Sequence, residues 1–417
     1  MKNAASRRPP VLPSLAVLIL LLSLPFSACE RSGKVTSLEE KKIFTLGYGN
    51  FENQLNIFGL TSVSDVNTSL VMRNGFFYIL NGESRKIMEM NNFGDLIVYY
   101  YNPEFNPEFN IRSSYPEQKS SRETTMKAVE YGFNELSAIT VDSSQKLYAV
   151  DTLPLDRQEQ DEKKRLVLSQ IVLRFDGKGN FIDYIGQQGP GGTPFPYIQG
   201  IYSNNADELI VVCYLSSSYM VYWFSSSGYL LYQMPIAKDG IPNPLKEDGL
   251  DSFSTITAII PDYGSRTLYL AVDYYRSYVD EAIHLQSGVD YDSSRVYPLS
   301  VEDGRYGDPI EVLSAGGELT DGFSGEQYSI PFDFLGVTES GWLFFIVSTA
   351  QGFEIQMVQG DGQRILRRDL DIDRTKLLYY SFDLSNSGIL SALLVKDEQA
   401  EVVWWRTDSL IQSVINN

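Results

Sequence analysis

The chain has one histidine and two cysteines in 417 residues. With so few imidazole and thiolate donors, a His/Cys zinc site is all but excluded, and a Ser-His-Asp triad would hang on His284 alone. No serine near His284 sits in a G-x-S-x-G elbow, so His284 reads as a surface or satisfied histidine. Basic residues are scarce too: 34 Lys and Arg stand against 53 Asp and Glu, a net charge of −19. Such a chain offers no Lys/Arg patch to neutralise a nucleic-acid backbone, and nucleic acid is not an expected partner. A sustained apolar period near 3.6 is missing, so no long helix is expected. What is abundant is aromatic: 27 Tyr and 22 Phe favour β-structure, and 43% hydrophobic residues exclude wholesale disorder.

The start of the chain reads as an address. Lys2, Arg7 and Arg8 precede a largely apolar run from Val11 to Leu24, which is shorter than the ~20 residues a spanning helix needs. The junction Phe26-Ser27-Ala28-Cys29 resembles a bacterial lipobox, with Phe26 where leucine is usual. That resemblance implies a lipoprotein signal peptide over residues 1–28, acylation (palmitate) at Cys29, and a bacterial cell-envelope location with a membrane anchor. Which membrane and which leaflet stay open. Several acyl chains anchor stably where one holds marginally. Residues 29–42 are polar and read as a tether, with the folded body over 43–417. Residues 1–28 carry three basic and no acidic residues, so the mature chain has a net charge of −22. A body so acidic should stand off an anionic leaflet. Cys213, in the apolar run Leu209 to Tyr214, then has no partner and reads as a buried free thiol.

Short β-branched and aromatic runs recur through the body. Phe76 to Asn81, Lys146 to Thr152, Leu209 to Tyr214, Leu268 to Asp273, Leu343 to Ser348 and Ala392 to Lys396 each follow a turn rich in Gly, Asp, Asn or Ser. A shorter apolar strand precedes each turn, and a third and usually a fourth strand follow. Four antiparallel strands repeated six times predict an all-β fold, a six-bladed β-propeller with long loop insertions. The rival, two tandem β-sandwiches, would show no matching units along the chain. The second strand is apolar throughout, as expected of a strand buried on both faces between blades.

Ala138-Ile139-Thr140-Val141-Asp142, Leu147 to Thr152 and Ile171 to Gly186 resemble an NHL-type repeat. With the lipobox, the whole layout resembles the NHL-like six-bladed propeller lipoproteins of the spirochaete-type cell envelope. The resemblance implies fold and location and carries over no catalytic residue. Ring closure is expected from the N-terminal run Lys42 to Gly49 completing the last blade; Leu410 to Ile415 is the other candidate.

Insertions lie at 101–131, with a duplicated Asn-Pro-Glu-Phe at 102–105 and 106–109, and at 156–165, 276–294 and 314–329. The first reads as a long surface loop, partly helical near Thr124 to Tyr131, and 156–165 as a solvated hairpin or helical extension. Asn81, Asp151 and Asp273 fall at the same place, just past the second strand. With Thr152, Tyr274, Tyr275 and Arg276 they are candidate binding residues on the channel face. The competing reading is a side chain that hydrogen-bonds nearby backbone to end a strand. Cys213, Ser348 and Lys396 at the equivalent positions break any symmetric site. Asp290-Tyr291-Asp292 spaces carboxylates as calcium would accept but lacks the glycine and closing glutamate of an EF-hand loop, and reads as a solvated loop. The expected function is a non-enzymatic binding or scaffold role toward a protein or glycan at the envelope, with no cofactor. The alternative is a propeller hydrolase or lyase with a Ca²⁺-assisted carboxylate site in the central channel.

Overall fold

The computed structural model describes residues 36–57, 66–107, 126–163, 165–280, 285–318 and 327–415. The 1–28 segment, Cys29 and His284 lie outside the described residues. Six sheets of four or five strands follow one another along the chain, at residues 68–130, 136–190, 198–237, 252–312, 333–370 and 377–405. Each is an antiparallel meander whose first strand lies innermost, and the first strands of neighbouring sheets lie side by side around a ring. This is a six-bladed β-propeller.

Turn chemistry explains why the units repeat. In the first turn of the second to sixth blades a polar residue opens the turn and its side chain accepts backbone N–H from inside it or at its end. Asp142 Oδ1 accepts from Ser144 and Lys146, and Asn204 Oδ1 from Ala206 and Glu208, at 2.8–3.0 Å. Three places on, a left-handed φ appears, +76° at Gly341 and +87° at Gly388. Gln145 and Asp207 take it at +60° and +55°, conformations that cost a residue with a Cβ some energy.

Each blade then buries its second strand. Phe77 to Asn81, Leu147 to Asp151, Leu209 to Cys213 and Leu390 to Val395 are buried without a break. Six apolar clusters result, one at each blade interface. Cys213 is fully buried in the cluster between the second and third blades, and burial pushes its thiol well above the ordinary range.

The ring is closed by the N-terminal strand. Lys41–Tyr48 pairs antiparallel with Ala400–Trp405, the third strand of the last blade. Phe44 and Leu46 of this strand enter the cluster shared by the sixth and first blades. Residues 410–415, the other closing candidate, belong instead to a helix, Thr407–Ile415. Leu410 and Ile411 pack it on the interface of the fifth and sixth blades. Strand pairing begins still earlier than the 43 boundary: Thr36–Ser37 runs parallel to the outer strand of the fifth blade, Ile365–Leu370.

Two insertions differ from expectation. Lys127–Glu130 is a strand rather than helical, running parallel to the outer strand of the first blade; edge pairing outweighs local propensity. Residues 276–280 and 285–294 lie in strands, not loops. They extend the middle strands of the fourth blade into a hairpin arm, Thr267–Asp280 against Leu285–Ser300, so the Asp290 to Ser294 run lies in a strand. Glu159–Asp161 and Leu166–Leu168 form a hairpin, one of the two forms expected of 156–165.

Candidate functional site

The two ends of the ring differ. One carries the short turns between first and second strands; the other carries the loops between second and third strands together with the connectors between blades. On the second end a cavity of about 570 Å³ opens between the first and second blades. Its wall is assembled from three separate stretches: Arg85 and Asn102 to Glu104 from the first blade, Glu130 to Asn134 from the connector, and Asp151 to Arg157 from the second blade.

Asp151 is nearly enclosed at this cavity. Its carboxylate accepts from the backbone N–H of Asn134 at 3.0 and 3.1 Å and of Glu135 at 2.7 Å. Burial pushes its pKa up to about 6, opposed by those two N–H groups and by the charge of Arg85. The carboxylate therefore positions the incoming connector. Thr152 continues the same clamp: its carbonyl accepts from the Asn134 side chain at 2.8 Å.

Asn81 does the same work one blade earlier. Fully buried, it accepts from Asn56 N and donates to Asn56 O at 2.8 and 2.9 Å, and it also donates to Thr68 Oγ1 and Glu83. Its cross-strand partner Lys86, fully buried as well, donates to Phe51 O at 2.8 Å. Together they hold the segment that follows the closing strand against the first blade. In the second blade Gln170 plays this part for the next connector, accepting from Ile198 N at 2.5 Å. The equivalent positions are thus a recurring device for seating connectors.

Asp273 belongs to a different network. It accepts from Ser294 Oγ, and burial and the neighbouring Asp333 raise its pKa. Tyr274 lies in the core: it is fully buried, and its hydroxyl bonds Pro242 O at 2.7 Å and the Tyr297 hydroxyl at 2.9 Å. Adjacent residues on a strand face opposite sides, so Tyr275 emerges instead, stacked on Phe253 at 5.2 Å. Arg276 pairs with Asp292 across the arm at 2.6 Å. The structure thus splits the candidates among three local networks and brings Asp151 and Asp273 into none together. Among the described residues, no three His, Cys, Asp or Glu side chains converge as metal ligands.

Residues the repeat alone does not reveal complete the cavity. Arg85 has a left-handed φ of +53° and lays its guanidinium 3.6 Å from the centre of the Phe105 ring. Asn102 donates to Phe133 O at 2.7 Å, and Asn106 to Ser84 O at 2.7 Å. The duplicated Asn-Pro-Glu-Phe thus starts as built wall, each asparagine fixing a different backbone carbonyl. The duplication was the visible signal. Arg157 and Tyr131 carried none, but they share the cavity's electrostatics: Tyr131 is raised by burial and by Asp151, and lowered by Arg157.

No protein-family profile and no curated protein matches this chain. Solved structures similar to it include a gluconolactonase from Xanthomonas campestris, 11% identical, covering 87% of this chain and 98% of that one at a TM-score of 0.39. A polysaccharide lyase is 8% identical over 88% and 99% at 0.42. The β-propeller domain of the Trilobed protease from Pyrococcus furiosus is 9% identical over 81% and 95% at 0.40. At these identities no residue role passes to the chain.

Proposed function

We propose that this chain is a lipid-anchored envelope lipoprotein of the NHL-like type that binds a protein or glycan partner without transforming it. The partner seats on the loop-and-connector end of the ring, at the cavity between the first and second blades. The observation that carries this is the state of Asp151. A cavity large enough for a small ligand or a protruding group carries its buried carboxylate already engaged by two backbone donors, in a lining that includes Arg85 and Arg157. Such a site offers shape, charge and an Arg85–Phe105 platform.

Two measurements test it. A Cys29→Ala chain should fail to enter the detergent phase on partitioning; normal partitioning removes the anchor from the proposal. A photo-crosslinking residue at position 157 should capture a discrete envelope component, and Arg85→Ala should weaken that capture. Turnover of a glycan that is lost in Asp151→Asn would replace the binding role with an enzymatic one.

A further inference from the structure

We propose that the opposite, turn-side mouth of the channel binds a small organic carboxylate, with Arg73 as its counter-charge. The site is separate from the cavity at Asp151, and its failure leaves the binding role at that cavity standing. Arg73 ends the first strand of the first blade and is 7% exposed. It reaches across the ring: its Nη2 donates to the hydroxyl of Tyr263, on the opposite fourth blade, at 3.1 Å, and its guanidinium lies 5.4 Å from the Tyr263 ring centre. A guanidinium cannot discharge by losing its proton, so burying it without an anion is costly. Yet among the described residues Arg73 forms no ion pair. Its Nε is enclosed with no hydrogen-bond partner, and Nη1 makes no hydrogen bond among the described residues.

The carboxylate that feels Arg73 is Asp383, on the inner strand of the sixth blade. Asp383 is engaged by Met72 N at 2.8 Å, and burial pushes it up to about 7, so near neutrality it is only partly charged. The positive charge of Arg73 is thus under-compensated, and beside it lies a cavity of about 310 Å³. Met72, Tyr263, Ile389 and Trp404 give it apolar walls; Asn74 and Asn386 add polar groups. The Trp404 indole N–H is also enclosed without a partner. Arg73 as the one cation of this lining, apolar walls and this volume fit a monoanion with an organic body; Glu339, in the same lining, disfavours a dianion such as phosphate.

Titration calorimetry on the detergent-solubilised full chain tests this with glucuronate and 4-hydroxybenzoate, each against its uncharged counterpart, glucose and phenol. One of the two acids should saturate with a Kd of about 1 mM or tighter while its counterpart does not, and the pair that responds distinguishes a sugar acid from an aromatic one. Arg73→Gln should weaken binding about tenfold or more, the scale of a charge-assisted hydrogen bond. Should Arg73→Gln fail to fold, Asn386→Ala at the turn tip should still weaken it about threefold. Saturation by neither acid, equal binding of the uncharged counterparts, or wild-type affinity in both variants overturns the assignment.

Discussion

The second and sixth blades have the same four antiparallel strands but are specified differently. In the second, short turns join the first strand to the second and the third to the fourth; Asp176 Oδ1 accepts from Lys178 and Asn180 and delivers Phe181–Gly186 to its place. In the sixth, the fourth strand arrives from the other end of the chain, and no turn sets its register. Burial does so instead: Phe44 and Leu46 face the core while Lys41, Lys42 and Thr45 face out. The Lys42–Glu401 contact bridges 359 positions. A blade can therefore be encoded locally, by turns, or globally, by apolar complementarity, and the two encodings should fail differently.

The strongest test removes the global one. Truncation through Tyr48 strips the closing strand and uncovers the Leu393, Val395 and Val402 surface of the sixth blade. The expected result is no cooperative thermal transition by calorimetry; a sharp transition near that of the intact chain would show that closure is dispensable. Next, a backbone contact breaks the local encoding. A Cβ at Gly186, in the second blade, would sit 2.2 Å from Gly192 O, so Gly186→Ala should cost about 3 kcal/mol in denaturant unfolding.

pH separates the two sides of the first blade, which touches both. Glu89 lies on the side of the second blade near Tyr78, and burial pushes it up to about 7 from 4.5. The folded state then holds a proton the unfolded chain has lost, so stability falls as pH rises from about 4.5 to 7. Lys86 serves the closing segment, and burial pushes it down to about 7 from 10.5, so its contribution raises stability from about pH 7 to 10.5. Glu89→Gln should flatten the first limb and gain about 2 kcal/mol above pH 7; Lys86→Met should flatten the second. Unchanged profiles of melting temperature against pH in both variants would refute the assignment.

Asp151→Ala leaves two connector N–H groups without their acceptor and should cost about 1–2 kcal/mol by chemical denaturation. Smallest of all is Gly47→Ala in the closing strand. Nothing lies within 4 Å of the added Cβ, so a gain of a few tenths of a kcal/mol is expected, where Gly186→Ala is severe.

The same distinction decides what could be read before the fold was known. The blades were legible because Asp142, Asn204 and Ser385 open turns whose geometry is local. The closing strand was legible because Lys42 to Gly49 keeps a strand pattern with no partner nearby. Thr36–Ser37 and Lys127–Glu130 were not, because parallel edge pairing leaves no turn and scarcely any pattern. Asn81, Asp151 and Asp273 were found as equivalent positions by register alone, but what each side chain faces depends on connectors that register does not describe. Arg85, Tyr131 and Arg157 meet only because two blades pack together, and Arg73 meets Tyr263 only because the ring is closed.

Closure also sets an order of events. The closing strand, Lys41–Tyr48, is made early and placed last: its partner Ala400–Trp405 follows some 350 residues later. At the ~5–20 residues per second of protein synthesis, that is an interval of roughly 20–70 s. Throughout it, Phe44 and Leu46 have no core to enter and the first blade has an open flank. The nascent chain is thus an unclosed arc for almost its entire synthesis, and the last thirty residues convert it into a ring.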